Sequence, residues 1–111
     1  MLSTLITKLP SVSVYLGAAP EPTHLPAVII YPGTAAPQSR TISGRGHTRL
    51  ATTRVVCATA DCEACTLLAD RVVGLLDGPV YRVGYVSSPL FSDGTWSSTI
   101  EFVHRLDRIS T

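Results

Sequence analysis

Apolar and polar positions along the chain divide it into a short series of elements. Leu2, Leu5, Ile6 and Leu9 recur at helical spacing, and Pro10 cannot continue a helix, so a short N-terminal helix is predicted over residues 2–9. Ser11 to Leu16 alternates polar with apolar and predicts a strand. Gly17 to Pro26 holds three prolines and a glycine and reads as a loop. Ala27 to Tyr31 is a compact apolar strand closed by Pro32-Gly33. Residues 34–49 carry no period and read as a long loop or arm beginning near residue 32. Connections of that length are usually functional or disordered.

The block from Arg49 to Gly78 carries the clearest packing signal. Thr52, Thr53, Val55 and Val56 are β-branched and suit a strand over residues 49–58. Asp61 or Thr59 can cap a helix that follows, and Asp61 and Glu63 favour its positive end. Cys65, Leu68, Ala69, Val72 and Leu76 fall on one stripe of that helix, with Glu63, Thr66, Asp70, Gly74 and Asp77 opposite. Gly78 is placed where a left-handed residue would close the helix. Leu67, Val73 and Leu75 widen the apolar arc beyond the needs of one sheet face. Gly74 weakens a helix interior but allows a close approach by another backbone. The flank Leu67, Val73, Gly74 and Leu75 is therefore a candidate subunit interface, the alternative being burial within the same domain.

Val80 to Val86 reads as a strand. Asp93-Gly94 is a hairpin turn signal. Thr95 to Leu106 is the clearest strand, with Trp96, Ser98, Ile100, Phe102, His104 and Leu106 in one row. The expected fold is α+β, with one mainly antiparallel sheet packed against one long helix and a short N-terminal helix. At 111 residues, the chain is a single domain (1–111) with one core.

Charge changes the picture only locally. The net charge is +1 and 15% of residues are charged, so there is no bulk electrostatic case for nucleic acid or an anionic membrane. The arm, however, carries Arg40, Arg45, His47 and Arg49 and no acidic residue. Repeated around a ring, these groups would line an opening with positive charge. No apolar run approaches the roughly 20 residues of a membrane span, and the N-terminus lacks the features of a secretory signal. The expectation is a cytoplasmic location.

Chemistry is sparse. Cys57, Cys62 and Cys65 follow C-x₄-C-x₂-C, the opening of one iron–sulfur spacing, but a fourth cysteine is missing. Zinc would need His24, His47 or His104 as a further ligand. The expectation is three small, buried, reduced side chains and no metal or cofactor. His104 is expected to be a partly buried, hydrogen-bonded histidine. Ser43-Gly-Arg-Gly46 lacks the Lys-Ser/Thr ending of a phosphate loop.

These pieces, taken in order, resemble the tail terminator (tail-completion) proteins of long-tailed bacteriophages. The resemblance rests on the short N-terminal helix, Leu25-Pro-Ala-Val-Ile-Ile-Tyr31, a loop with Thr41-Ile-Ser-Gly44 and Thr53-Arg-Val-Val-Cys-Ala58. It continues through Ala64-Cys-Thr-Leu-Leu-Ala-Asp-Arg-Val-Val-Gly-Leu-Leu-Asp-Gly78 and a long closing strand. It implies a virion structural protein of the tail neck, assembled in the host bacterial cytoplasm. A homohexameric ring would cap the tail tube, end its polymerisation and join the head connector or completion protein. DNA would pass through the lumen unread, with no reaction catalysed. The arm residues would then face DNA or a neighbouring ring. The alternatives are another head–tail connector or head-completion protein, or a small metal or redox protein built on the three cysteines.

Overall fold

A computed structural model of the chain describes residues 2–18, 24–33, 35–37 and 49–106. Helix α1 spans Leu2–Lys8. It buries Leu5, Leu9 is buried just beyond its end, and Ile6 faces outward. Strand β1 (Ser13–Leu16) pairs in parallel with β2 (Ala27–Tyr31). The apolar run of β2 is buried on both faces through Ile30, as a continuous rather than alternating pattern implies.

Strand β4 (Arg49–Thr59) runs antiparallel to β2 on one side and to β7 (Thr95–Leu106) on the other. Its odd-numbered residues, Thr53, Val55, Cys57 and Thr59, are buried, as are Ser98, Ile100 and Phe102 of β7. Helix α2 (Cys62–Leu76) lies across this face. The buried residues of α2 are Cys65, Leu68, Ala69, Val72 and Leu76, the stripe that helical spacing predicts. Strand β5 (Tyr81–Val86) lies beyond β7, giving the order β1-β2-β4-β7-β5. The result is α+β: a mixed sheet with two helices.

Of two short strands, one departs from expectation and the other completes the predicted hairpin. Ala35–Pro37 (β3), read as loop, pairs with residues 49–51 of β4. Leu90–Ser92 (β6) pairs with residues 95–97 of β7. The turn between β6 and β7 has φ of 51° at Asp93 and 77° at Gly94, both left-handed, as a two-residue hairpin with the twist of its strands requires.

The start of α2 is built locally. Asp61 is extended, and its Oδ2 accepts from the Ala64 N–H at 3.0 Å. The Thr59 hydroxyl donates to the Asp61 carbonyl at 2.6 Å, fixing the approach to the cap. Asp61→Ala is expected to lower stability by about 1 kcal/mol, read as a lower denaturant midpoint at unchanged slope.

The end of α2 corrects the sequence reading. Gly78 does not take a left-handed conformation; the positive-φ glycines among the described residues are Gly17 and Gly94. Asp77 instead leaves the helix extended, with φ −67° and ψ 124°, and its N–H donates to the Val73 carbonyl. Two contacts favour this exit. The Gly78 N–H donates to the Tyr81 carbonyl at 2.8 Å, and Asp77 Oδ1 accepts from the Val83 N–H at 3.3 Å. Pro79 also disfavours a helical conformation at the residue before it.

Candidate interaction surface

The predicted flank of α2 does not form one uniform stripe. Leu67 is 61% exposed, beside a recess of ≈ 180 Å³ that it shares with Leu9, Pro10, Val12 and Arg71. Gly74 lies two turns further along the same side. It is exposed, and a methyl group there would meet nothing within 4 Å. Val73 and Leu75 are partly buried and pack against the core. Leu67 and Gly74 therefore remain available for contact, and Val73 and Leu75 belong mainly to the domain's own packing.

Of the basic set, Arg40, Arg45 and His47 lie outside the described residues. Arg49 opens β4, with Leu106 and Pro37 as its register partners.

Sequence periodicity missed a larger apolar surface at the β5–β6 edge. Among the described residues, Val80, Tyr85, Val86, Leu90 and Phe91 are half of the exposed large hydrophobic side chains. Leu90 is 66% exposed and Phe91 59%. A register shift between Val83 and Tyr85 explains part of this. Tyr81 and Val83 pair with His104 and Phe102 on the helix side, but after the shift Tyr85 pairs with Glu101. One extra residue reverses the alternation and turns Tyr85 to the opposite face.

The link that follows is held firmly. The Ser87 N–H donates to the Thr99 carbonyl at 2.8 Å, and Ser87 Oγ accepts from the Thr99 N–H at 2.9 Å. The buried Ser98 hydroxyl donates to the Ser87 carbonyl at 2.8 Å. Phe91 then packs on Trp96 with ring centroids 5.2 Å apart. The apolar edge is thus presented on a fixed backbone. Its sequence signal was Pro89-Leu-Phe91 immediately before the hairpin turn.

The titratable groups have mainly structural settings. His104 Nε2 lies 2.9 Å from Thr53 Oγ1, and the ring meets Tyr81 edge to face at 5.0 Å. Either tautomer satisfies the pair, because a hydroxyl both donates and accepts. Burial lowers the His104 pKa from 6.5. The unfolded chain therefore takes up this proton first as pH falls, and the contribution of His104 to stability, full above 6.5, declines below it. His104→Gln should retain a partner for Thr53 and flatten the loss of stability between about pH 7 and 5, read by denaturation at each pH.

The cysteines do not match the expectation of three buried thiols. Cys57 and Cys65 are buried, but Cys62 is exposed on the first turn of α2. Burial, reinforced by the neighbouring Cys65, pushes the Cys57 thiol up to about 12. The Cys65 thiol donates to the Cys57 carbonyl at 3.5 Å. Among the described residues, no group of three or more His, Cys, Asp or Glu side chains is arranged to hold a metal ion. No helix among them is long and apolar enough to cross a membrane.

The sheet face away from α2 has a shallow recess lined by Tyr31, Pro32, Gly33, Thr52, Arg54 and Glu101. Arg54 and Glu101 are direct cross-strand partners there, and opposite charges so placed contribute roughly 0.2–1 kcal/mol. Compared with known proteins, the chain matches no family model, and no curated protein shows significant similarity to it.

Proposed function

We propose that this chain is a virion structural protein of the tail-terminator type. It assembles as a ring, expected to be a homohexamer, that caps the tail tube and joins it to the head connector. The observation that carries the reading is the exposed apolar rim of β5 and β6, with Val86 and Phe91 on the helix side and Tyr85 and Leu90 on the other, on a domain with few charges. Exposed apolar clusters of this kind mark interaction sites in soluble proteins. A mainly antiparallel sheet carrying one long helix is the framework this reading requires. The second contact is assigned to Leu67 and Gly74, on a different side of the fold. Two unlike patches that meet each other make the heterologous joint from which rings are closed.

Arg40, Arg45, His47 and Arg49 are assigned to the lumen or to a neighbouring ring. Contacts with DNA in a conduit should be few, because each neutralised phosphate adds affinity and salt dependence. The tube protein and the head connector are the further partners, and catalysis plays no part.

Native mass measurement of the full-length protein tests the reading. The expected result is a closed species of sixfold mass. Replacing both Leu90 and Phe91 with Asp should convert it to folded protomer, checked by circular dichroism. Loss of the protein from its phage should give filled heads beside overlong or unjoined tails. A protomer that stays single at high concentration, with normal tails in its absence, would overturn the proposal.

A further inference from the structure

We propose that Cys62 and Cys65 form a thiol–disulfide exchange site at the start of α2, with Cys62 as the attacking thiol and Cys65 as the resolving one. The inference rests on the two side chains and does not depend on the ring.

Cys62 and Cys65 stand three residues apart in the first turn, so they face the same side of the helix. Their environments differ in the way exchange requires. Cys62 is exposed and open to a disulfide from solution, whereas Cys65 is buried and held by its bond to the Cys57 carbonyl. At this spacing Cβ atoms are about 5–6 Å apart. A disulfide needs about 3.5–4.5 Å, so closure requires an approach of roughly 1–2 Å. The Cys62 end is the part of the helix that can give this much, since the leading N–H groups have no intrahelical partners, whereas the N–H groups of Ala64 and Cys65 are held by Asp61.

Cys57 is the internal control. It is fully buried in β4, and its raised pKa keeps it a thiol at any physiological pH. Burial also raises the Cys65 pKa, and a hydrogen bond with Thr59 works in the opposite direction. The first step therefore belongs to Cys62.

With an oxidised low-molecular-weight disulfide such as glutathione disulfide, the Cys62 thiolate attacks one sulfur. The glutathione S–S bond breaks and one glutathione thiolate leaves. Cys65 then loses its proton and attacks Cys62 Sγ, forming the internal bridge and expelling the second glutathione. The chain gives up two electrons and two protons, and glutathione disulfide takes them as two thiols.

The test uses the reduced full-length chain incubated with glutathione disulfide, then quenched with N-ethylmaleimide and read by intact and peptide mass. The expected result is a transient glutathione adduct on Cys62, followed by loss of two alkylatable thiols and a bridge mapped to Cys62–Cys65. Cys62→Ser, at an exposed position, should fold and take no glutathione. Cys65→Ser should stop at the adduct. If Cys65→Ser does not fold, the wild-type time course decides, because adduct must decay into bridge. Three thiols that stay free, an adduct that persists in the wild type, or a bridge that includes Cys57 would each overturn the assignment.

Discussion

Phe102→Ala is expected to lower stability by about 3–5 kcal/mol. Phe102 is the largest fully buried side chain among the described residues. It sits in mid-β7, paired with Thr53 on one side and Val83 on the other, with Tyr81 edge-on at a centroid distance of 6.4 Å. Both neighbouring strands are fixed by ladder hydrogen bonds, so they cannot collapse into the space that the ring leaves. The lost transfer energy and the remaining cavity therefore add. Against a total of roughly 5–15 kcal/mol for a domain, this is a large fraction. Chemical denaturation should show a much lower midpoint, or no folded baseline at all. Leu67→Ala removes a side chain of similar character from an exposed site and should change protomer stability by no more than about 0.5 kcal/mol. Similar losses for the two variants would mean that the assignment of core and surface is wrong.

Gly33→Ala is expected to be the second severe change, at about 3 kcal/mol, the upper part of the usual over-packing range. A methyl group at Gly33 would overlap the Thr52 carbonyl oxygen and lie 2.6 Å from its carbonyl carbon. Its obstacle is backbone of the central strand, which cannot rotate away as a side chain would. The close approach follows from the register. Tyr31 pairs with Arg54 and Ala35 with Ala51, so the β2–β3 side carries one more residue than the β4 side between these pairs. Alanine also restricts the unfolded chain, a gain of about 0.4–1 kcal/mol that is too small to offset the clash. Gly74→Ala makes the informative contrast. Space there is open, and the helix should gain up to about 1 kcal/mol. Opposite signs at the two glycines, measured by the same denaturation, would establish that the close approach at Thr52 is real.

The long elements were legible because one partner surface set their pattern. Helix α2 packs on a single sheet face, so its stripe from Cys65 to Leu76 followed directly from spacing. The row from Trp96 to His104 on β7 was legible for the same reason. Strand β3 was not, because three residues carry no period and owe their state to the strand beside them, whereas the equally short β6 was marked by the Asp93-Gly94 turn. The strand over residues 80–86 was legible, but the face that Tyr85 takes was not, because a register shift reverses alternation without leaving a mark on composition. At Gly78, pairing of the departing chain with Tyr81 outweighed the usual habit of glycine after a helix. Cys62 was assigned to the interior because its neighbours in sequence were considered without the face of the helix on which it falls.

The surface was legible only in part. Spacing along α2 points to Leu67 and Gly74, which are exposed, but it says nothing of Leu90 and Phe91, since two apolar residues beside a turn look the same whether buried or bare.

The parallel seating of β1 has a geometric outcome for any larger assembly. From β2 through β4 and β7 to β5, each strand reverses the direction of the last, whereas β1 keeps that of β2. The two outermost strands consequently point opposite ways. Copies of this domain laid side by side in the same orientation, rim against rim, would meet with their chains running counter to each other. That is the arrangement in which amide and carbonyl groups face one another squarely, so the sheet could be extended from molecule to molecule without turning any of them over.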